Sequence, residues 1–351
     1  MISFYPGPSQ VYNDIPKYVR DAHTKGILSM NHRSTEFMDL YKETVTLLKT
    51  KLNIPDSYKI FFTSSSTECW EIIAQSVIEK DSLHIFNGAF GEKWFTYTQR
   101  LVPAAQPVPF DCESKLPIKK IPDSYSGVLC ITQNETSNGT EVNADILLSI
   151  KRKYPKALIA VDATSSMGGI ALNFKSADIW FASVQKCFGL PAGLAVMVCS
   201  PGAIQRMKSK NESGHYNSLS ILNEMADKWQ TSYTPNVLGI YLLMRTLKKR
   251  KSIEQTHQKI KSRSEAWQKF FRGSPHITFF IKNETVTSLT VLTLTAKPEL
   301  IKVIKHRAKT KGILLGDGYG GLKQDTFRIA NFPAIKDTEI RKLQQFLRSY
   351  L

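Results

Sequence analysis

Between about residue 57 and residue 200 the chain alternates short apolar runs with stretches whose apolar positions recur every three or four residues. The apolar runs predict strands buried on both faces, and the longer spacing predicts amphipathic helices. Strands are predicted over residues 58–62, 83–86, 127–132, 157–161, 179–183 and 194–199, with helices over 67–79, 92–100 and 144–154. Strands and helices in alternation imply a mainly parallel sheet covered on both faces. Residues 237–271 predict one or two long helices. The tail differs: 287–294 alternates like a half-buried strand, 299–309 reads as a helix, 326–330 as a strand and 336–350 as a helix. That pattern predicts a smaller α+β unit.

Composition narrows the class. With 42% hydrophobic and 22% charged residues, a large buried core is expected. No apolar run approaches the roughly 20 residues needed to cross a bilayer. The opening MISFYPGPSQ lacks a basic segment followed by an apolar one, so no secretory signal and a cytoplasmic location are expected. The five cysteines, without a CxxC pair, predict buried free thiols, and seven scattered histidines show no metal-ligand spacing. The net charge of +17 is spread along the chain, with short clusters such as Lys248-Lys249-Arg250-Lys251 on a predicted exposed helix. A solvated basic surface, a field that attracts small anions, or nucleic-acid binding would each produce it.

Ligands of open α/β sheets bind beyond the carboxyl ends of the strands. Here those ends read Ser64-Ser-Ser-Thr67, Asn87-Gly-Ala-Phe90, Gln133-Asn-Glu-Thr136, Asp162-Ala-Thr-Ser and Ser183-Val-Gln-Lys186. Lys186 follows an apolar strand and is either a lysine reaching solvent or a desolvated amine suited to imine formation. Asp162 closes another apolar strand; burying its carboxylate calls for a cationic partner, unless it merely caps a turn. The pyridinium of pyridoxal 5'-phosphate (PLP) is such a cation, and Lys186 would carry that cofactor as a Schiff base. Ser65, Ser66 and Thr67 open a helix and could hold its phosphate, or could simply cap that helix. Gln185 and Thr234 are further donors, and Phe90 could stack on the ring or belong to the core.

Gly316-Asp-Gly318-Tyr-Gly-Gly321 matches a dinucleotide fingerprint but leads towards the predicted strand at 326 rather than into a helix. It is read as a flexible loop.

Several segments together resemble a known family. Phe4-Tyr-Pro-Gly-Pro-Ser9, Asn31-His-Arg-Ser-Thr-Glu-Phe37, Gln133-Asn-Glu-Thr-Ser-Asn-Gly139, Val161-Asp-Ala-Thr-Ser-Ser166, Val184-Gln-Lys186 and Tyr233-Thr-Pro-Asn236 are similar to the class V, fold-type-I PLP-dependent aminotransferases. The likeness is closest to the branch that acts on phosphoserine. It implies an α/β fold: a large domain around a mainly parallel, seven-stranded-type sheet, plus a small C-terminal α+β domain. The implied bounds are an arm at 1–15 joining the small domain, a large PLP-binding domain at 16–250 and the small domain at 251–351. It implies Lys186 and Asp162 as catalytic, with Ser66, Thr67, Phe90, Thr136, Gln185, Tyr233 and Thr234 also on the cofactor. Thr234 would serve the other subunit of a homodimer with shared sites. His32, Arg33 and Arg328 would bind substrate, an amino acid or a keto acid, and neither nucleic acid nor membrane is an implied partner. The implied reaction exchanges an amino group between glutamate and 3-phosphohydroxypyruvate, in serine biosynthesis. A serine/alanine–glyoxylate-type aminotransferase is the neighbouring alternative, and a basic nucleic-acid-binding protein the alternative of another class. Two features depart from the family pattern: Ser64–Glu68 stands where a glycine-rich, arginine-bearing stretch is common, and Lys323 is the nearest cation to a missing His-Arg pair.

Overall fold

The computed structural model describes residues 1–351. In chain order its strands are β1 (Ile2–Phe4), β2 (Lys59–Thr63), β3 (Ser82–Phe86), β4 (Gln106–Pro109), β5 (Val128–Thr132), β6 (Asn134–Glu135) and β7 (Thr140–Glu141). They continue with β8 (Leu158–Asp162), β9 (Ile179–Ser183), β10 (Ala195–Cys199), β11 (Thr278–Phe279), β12 (Val291–Thr295), β13 (Ile313–Asp317) and β14 (Thr326–Ala330). The helices used below are α1 (Ile15–Thr24), α2 (Thr35–Leu52), α3 (Ser66–Ser76), α4 (Ala89–Leu101), α5 (Ala144–Lys153), α6 (Pro201–Lys210), α7 (Leu219–Asp227), α8 (Val237–Lys249) and α9 (Ile253–Phe271). Two more, α10 (Pro298–Thr310) and α11 (Asp337–Leu347), complete the chain.

The fold is a mixed α/β fold built on one large sheet and one smaller one. Its main sheet has seven strands in the order β2-β10-β9-β8-β5-β3-β4. All neighbours are parallel except β10, which runs against both β9 and β2. The inner strands β5, β8, β9 and β10 are buried along their whole length, which is why they read as unbroken apolar runs rather than alternating ones. A second sheet, β1-β13-β14-β12-β11, packs against α9, α10 and α11 through a core running from Trp267 to Leu347. Phe4 joins that core because β1 pairs with β13 in parallel, so the start of the chain is stitched to its end.

Several predicted elements change in detail. Residues 287–290 do not enter a strand; only Val291–Thr295 does. Their polar groups are spent across the molecule instead: Ser288 Oγ donates to Asn134 Oδ1 at 2.9 Å and Thr290 Oγ1 to the Ser165 carbonyl at 2.7 Å. The long helical stretch is two helices, broken where Ser252 caps α9 by accepting from the Gln255 amide. Within the basic cluster Arg250 is turned inward and buried, unlike Lys248, Lys249 and Lys251. The glycine motif begins inside β13 and ends in a 3₁₀ turn at Gly320–Leu322, so it opens no α-helix. No helix is long and apolar enough to cross a membrane. All five cysteines are free; four are buried and Cys112 is half-buried.

Candidate active site

The carboxyl ends of β2, β5, β8 and β9 face one cavity of about 250 Å³, and the second sheet closes it from the other side. Lys186 lies three residues past β9, at a turn, and is 7% exposed. Its Nζ donates to Thr136 Oγ1 at 2.9 Å and Ser165 Oγ at 3.0 Å, and sits 5.2 Å from the Phe90 ring centroid. Burial pulls the amine down to about 8, against the opposing pull of Asp162 and Glu135. Gly7, in the arm after β1, passes so close that a Cβ there would meet Lys186 Cε at 2.8 Å. At φ +145° that position favours glycine twice over.

Asp162 ends β8, the strand beside β9, and is 5% exposed. Trp70 Nε1 donates to its Oδ2 at 3.2 Å and the Thr164 amide to its Oδ1 at 2.9 Å. Burial raises its carboxyl above the usual range, and two neutral donors with a facing lysine lower it only in part. No ion pair in the chain balances this acid. A buried carboxylate so placed suits a cationic ring nitrogen.

Opposite, α3 begins at Ser66, with Ser65 as its cap. The Ser66 amide donates to Ser183 Oγ at 2.8 Å, and Ser66 Oγ shares a proton with Thr164 Oγ1 at 2.7 Å. Thr67 and Gln185 line the same wall, and Gln185 Oε1 is buried without a hydrogen-bond partner in the protein. A helix N-terminus ringed by hydroxyls is a ready anion seat. The residues present therefore fit PLP: an amine for its aldehyde, an acid for its ring nitrogen, and a hydroxyl-lined helix start for its phosphate.

Phe90 stands in the first turn of α4, whose amides at Phe90 and Gly91 both donate to Glu135 Oε2 at 3.1 Å. Glu135 is itself 1% exposed and also holds Ser137, so it anchors the backbone that carries the ring. Tyr319, from the glycine-rich loop, packs at a tilt against Phe90 with 4.9 Å between centroids and accepts from Lys93 Nζ at 2.6 Å. Arg328 in β14 donates from Nε to the Asp317 carbonyl and from Nη1 to the Thr136 carbonyl, at 2.6 and 2.7 Å. Those two bonds lock the fork where it lines the cavity.

The cavity thus brings together Ser66, Thr67, Phe90, Thr136, Asp162, Gln185, Lys186 and Arg328. It does not include His32, Arg33, Tyr233 or Thr234 of the same chain. Arg33 is exposed and donates to Gln230 Oε1 at 2.6 Å, and His32 packs edge-on to Phe37. Tyr233 lies edge-on to Tyr216, and Thr234 is exposed. Trp70 and Tyr319 are site residues to which sequence reasoning gives no role, while Glu135, Ser165 and the arm residues Tyr5 to Pro8 lie in segments it singles out without assigning them one. Glu135 carries a signal of its own, an acid three residues past the buried strand β5.

The chain is similar to known proteins along nearly its whole length. A family model described as aminotransferase class-V matches residues 6–318. The chain is 25% identical over 349 residues to the phosphoserine aminotransferase of Rhodococcus opacus (strain B4), covering 96% of this chain and 91% of that protein. The corresponding protein of Corynebacterium glutamicum (strain R) is 26% identical over 348 residues, with 96% and 91% covered. Among solved structures, a phosphoserine aminotransferase from Cytophaga hutchinsonii ATCC 33406 superposes with a TM-score of 0.93 at 31% identity, covering 100% of this chain and 99% of that one. An aspartate aminotransferase from Thermus thermophilus superposes at 0.85 over 99% and 98% of the two chains; at 17% identity it shares the fold alone.

Proposed function

The chain belongs to the class-V aminotransferases and is a PLP-dependent enzyme of that family, and on this footing we propose that its amino donor and acceptor pair is that of a phosphoserine aminotransferase. The reaction would convert 3-phosphohydroxypyruvate and glutamate into phosphoserine and 2-oxoglutarate. The whole-length likeness to proteins of that name, one of them 31% identical over all of this chain, carries the reading.

When bound, PLP supplies an aldehyde that condenses with amines and a ring that withdraws electrons from the substrate carbon. The protein's part is binding, orientation and proton transfer. Asp162 would hold the ring nitrogen, Ser66, Thr67 and Gln185 the phosphate, and Phe90 one face of the ring. Lys186 Nζ would carry the cofactor and, when not bonded to it, would be the base that moves the proton at the substrate Cα. Its lowered affinity for protons leaves a large neutral fraction at mildly alkaline pH. Thr136 Oγ1 and Ser165 Oγ accept from that amine and would hold it in line. Arg328, fixed by two carbonyls, would grip the substrate α-carboxylate. Phosphoserine should convert the enzyme to its amino form much faster than serine or alanine, read as the loss of the visible band in single-turnover mixing. Equal rates with serine and phosphoserine would overturn the substrate assignment.

The proposal extends to assembly and organisation. His32, Arg33 and Thr234 lie outside this chain's cavity, at exposed or half-exposed positions, as residues serving a second subunit would. A homodimer with shared sites follows. Mixing Lys186→Ala chains with Arg33→Ala chains should then restore part of the activity that each lacks alone, because one site of the mixed dimer has both side chains. No recovery after subunit exchange would refute sharing. The division into an arm at 1–15, a large domain at 16–250 and a small one at 251–351 is supported by the pairing of β1 with β13 and by the separate core around Trp267 and Phe327.

A further inference from the structure

A second cavity, of about 330 Å³, opens between α1, the end of α8 and the first half of α9. It shares no lining residue with the cavity at Lys186. Lys249, Arg250, Lys251, Lys259 and Arg263 line it, against a single carboxylate, Asp14. Part of this charge is balanced within the chain: Lys249 pairs with Asp14 at 2.8 Å, and Lys259 and Arg263 share Asp337. Arg250 is not balanced. It is 8% exposed, and its Nε, Nη1 and Nη2 find no acceptor in the protein. Arg263, 7% exposed, likewise leaves its Nη1 without a partner.

A buried guanidinium without a counter-charge is among the most unfavourable groups a fold can carry. Its neighbours offer no remedy. On one side Arg250 lies against Gly168, where a Cβ would already meet Nη1 at 3.2 Å. The cavity is the side from which an acceptor can come. Gln255 and Thr256, in the first turn of the 19-residue α9, line that side, so the positive end of a long helix adds to the field. Four uncommitted N–H-bearing nitrogens on two rigid forks call for more acceptors than one carboxylate presents. A phosphate group, with its extra oxygens and second charge, meets that demand.

We propose that this cleft is a second anion site, binding a small phosphorylated ligand through Arg250 and Arg263, with the exposed Lys251 and Lys259 at its rim. Since α8 and α9 both contribute, the bound anion would tie the large helical layer to the smaller unit. The inference stands apart from the transamination reading, because binding is measured without turnover.

The test is calorimetric titration of the PLP-loaded enzyme with inorganic phosphate and, separately, with pyrophosphate, alongside thermal unfolding with and without each. Both anions should bind and raise the unfolding temperature. Arg250→Met should weaken binding by about tenfold to a hundredfold, the loss expected for charged hydrogen bonds. In anion-free buffer the same substitution should leave unfolding unchanged or raise its temperature, since it removes an unpaired charge. Should that variant not fold, Lys251→Ala with Lys259→Ala, both at exposed positions, decides the matter through a several-fold loss. Absence of binding, meaning a cleft filled by water alone, overturns the proposal. Binding that both variants retain in full belongs to the cavity at Lys186 and overturns it equally.

Discussion

Lys186→Ala is expected to abolish the visible absorption band of the cofactor-linked lysine and to lower transamination by about 10⁴-fold or more, the upper range for losing a positioned base. The side chain has no understudy. Lys93, the other lysine near the ring, is tied to the Tyr319 hydroxyl at 2.6 Å and sits beyond Phe90. The same geometry predicts a stability effect in the cofactor-free protein. Burial holds the Lys186 amine near 8 in the folded state against 10.5 unfolded. Below pH 8 both states are protonated and folding carries the full penalty of burying the charge. Between about 8 and 10.5 the unfolded chain binds more protons, so this contribution to stability rises with pH. Lys186→Met should therefore raise the unfolding temperature of the cofactor-free protein at pH 7, with the gain shrinking above pH 8. A variant that kept both colour and turnover would dismiss Lys186 from its role.

Much of this was legible from patterns, and the exceptions have physical causes. The buried strands of the main sheet are continuous apolar runs, so their number and ends could be read closely, and Lys186 and Asp162 stood out as ionisable groups closing such runs. Helix α2 went unread, since no element is predicted before residue 57, although Ser34 caps it and Phe37, Leu40, Tyr41, Thr44, Val45, Leu48 and Leu52 share one buried face. The antiparallel course of β10 left no trace, because a strand buried on both faces has the same composition in either direction. Residues 287–290 alternate like a strand because every second polar group is bonded inward to Asn134 and Ser165, a tertiary demand that mimics a period of two. The place of Tyr319 and of the arm at Tyr5–Pro8 in the cavity went unread for a different reason. They reach the cavity only through the pairing of β1 with β13 and of β13 with β14, contacts set by the fold rather than by neighbours in sequence. Arg250 shows the same limit: a cation within a basic run reads as solvated until the backbone turns it inward.

Asp162→Asn separates the acid's charge from its shape and should carry the second largest effect. The amide keeps the size of the side chain, and its oxygen can still accept from the Thr164 amide, so the β8 end should keep its form. At Oδ2 the outcome changes. An NH₂ group there faces the Trp70 indole N–H, donor against donor, where the carboxylate accepts at 3.2 Å. It also cannot hold a protonated ring nitrogen. Breaking a buried charge pair from one side costs about 3–5 kcal/mol, so turnover should fall by roughly 10²- to 5 × 10³-fold. The loss should appear in kcat more than in KM for the amino acid, since Asp162 faces the ring and Arg328 the substrate carboxylate. Steady-state kinetics over several amino-acid concentrations, with PLP saturating, makes the comparison. Trp70→Phe is the internal control: it removes one neutral donor and leaves the charge, so it should cost no more than about tenfold. If Asp162→Asn and Trp70→Phe proved equally mild, the acid would be a structural group at the end of β8, and the electron-withdrawing role assigned to this cavity would have to be found elsewhere.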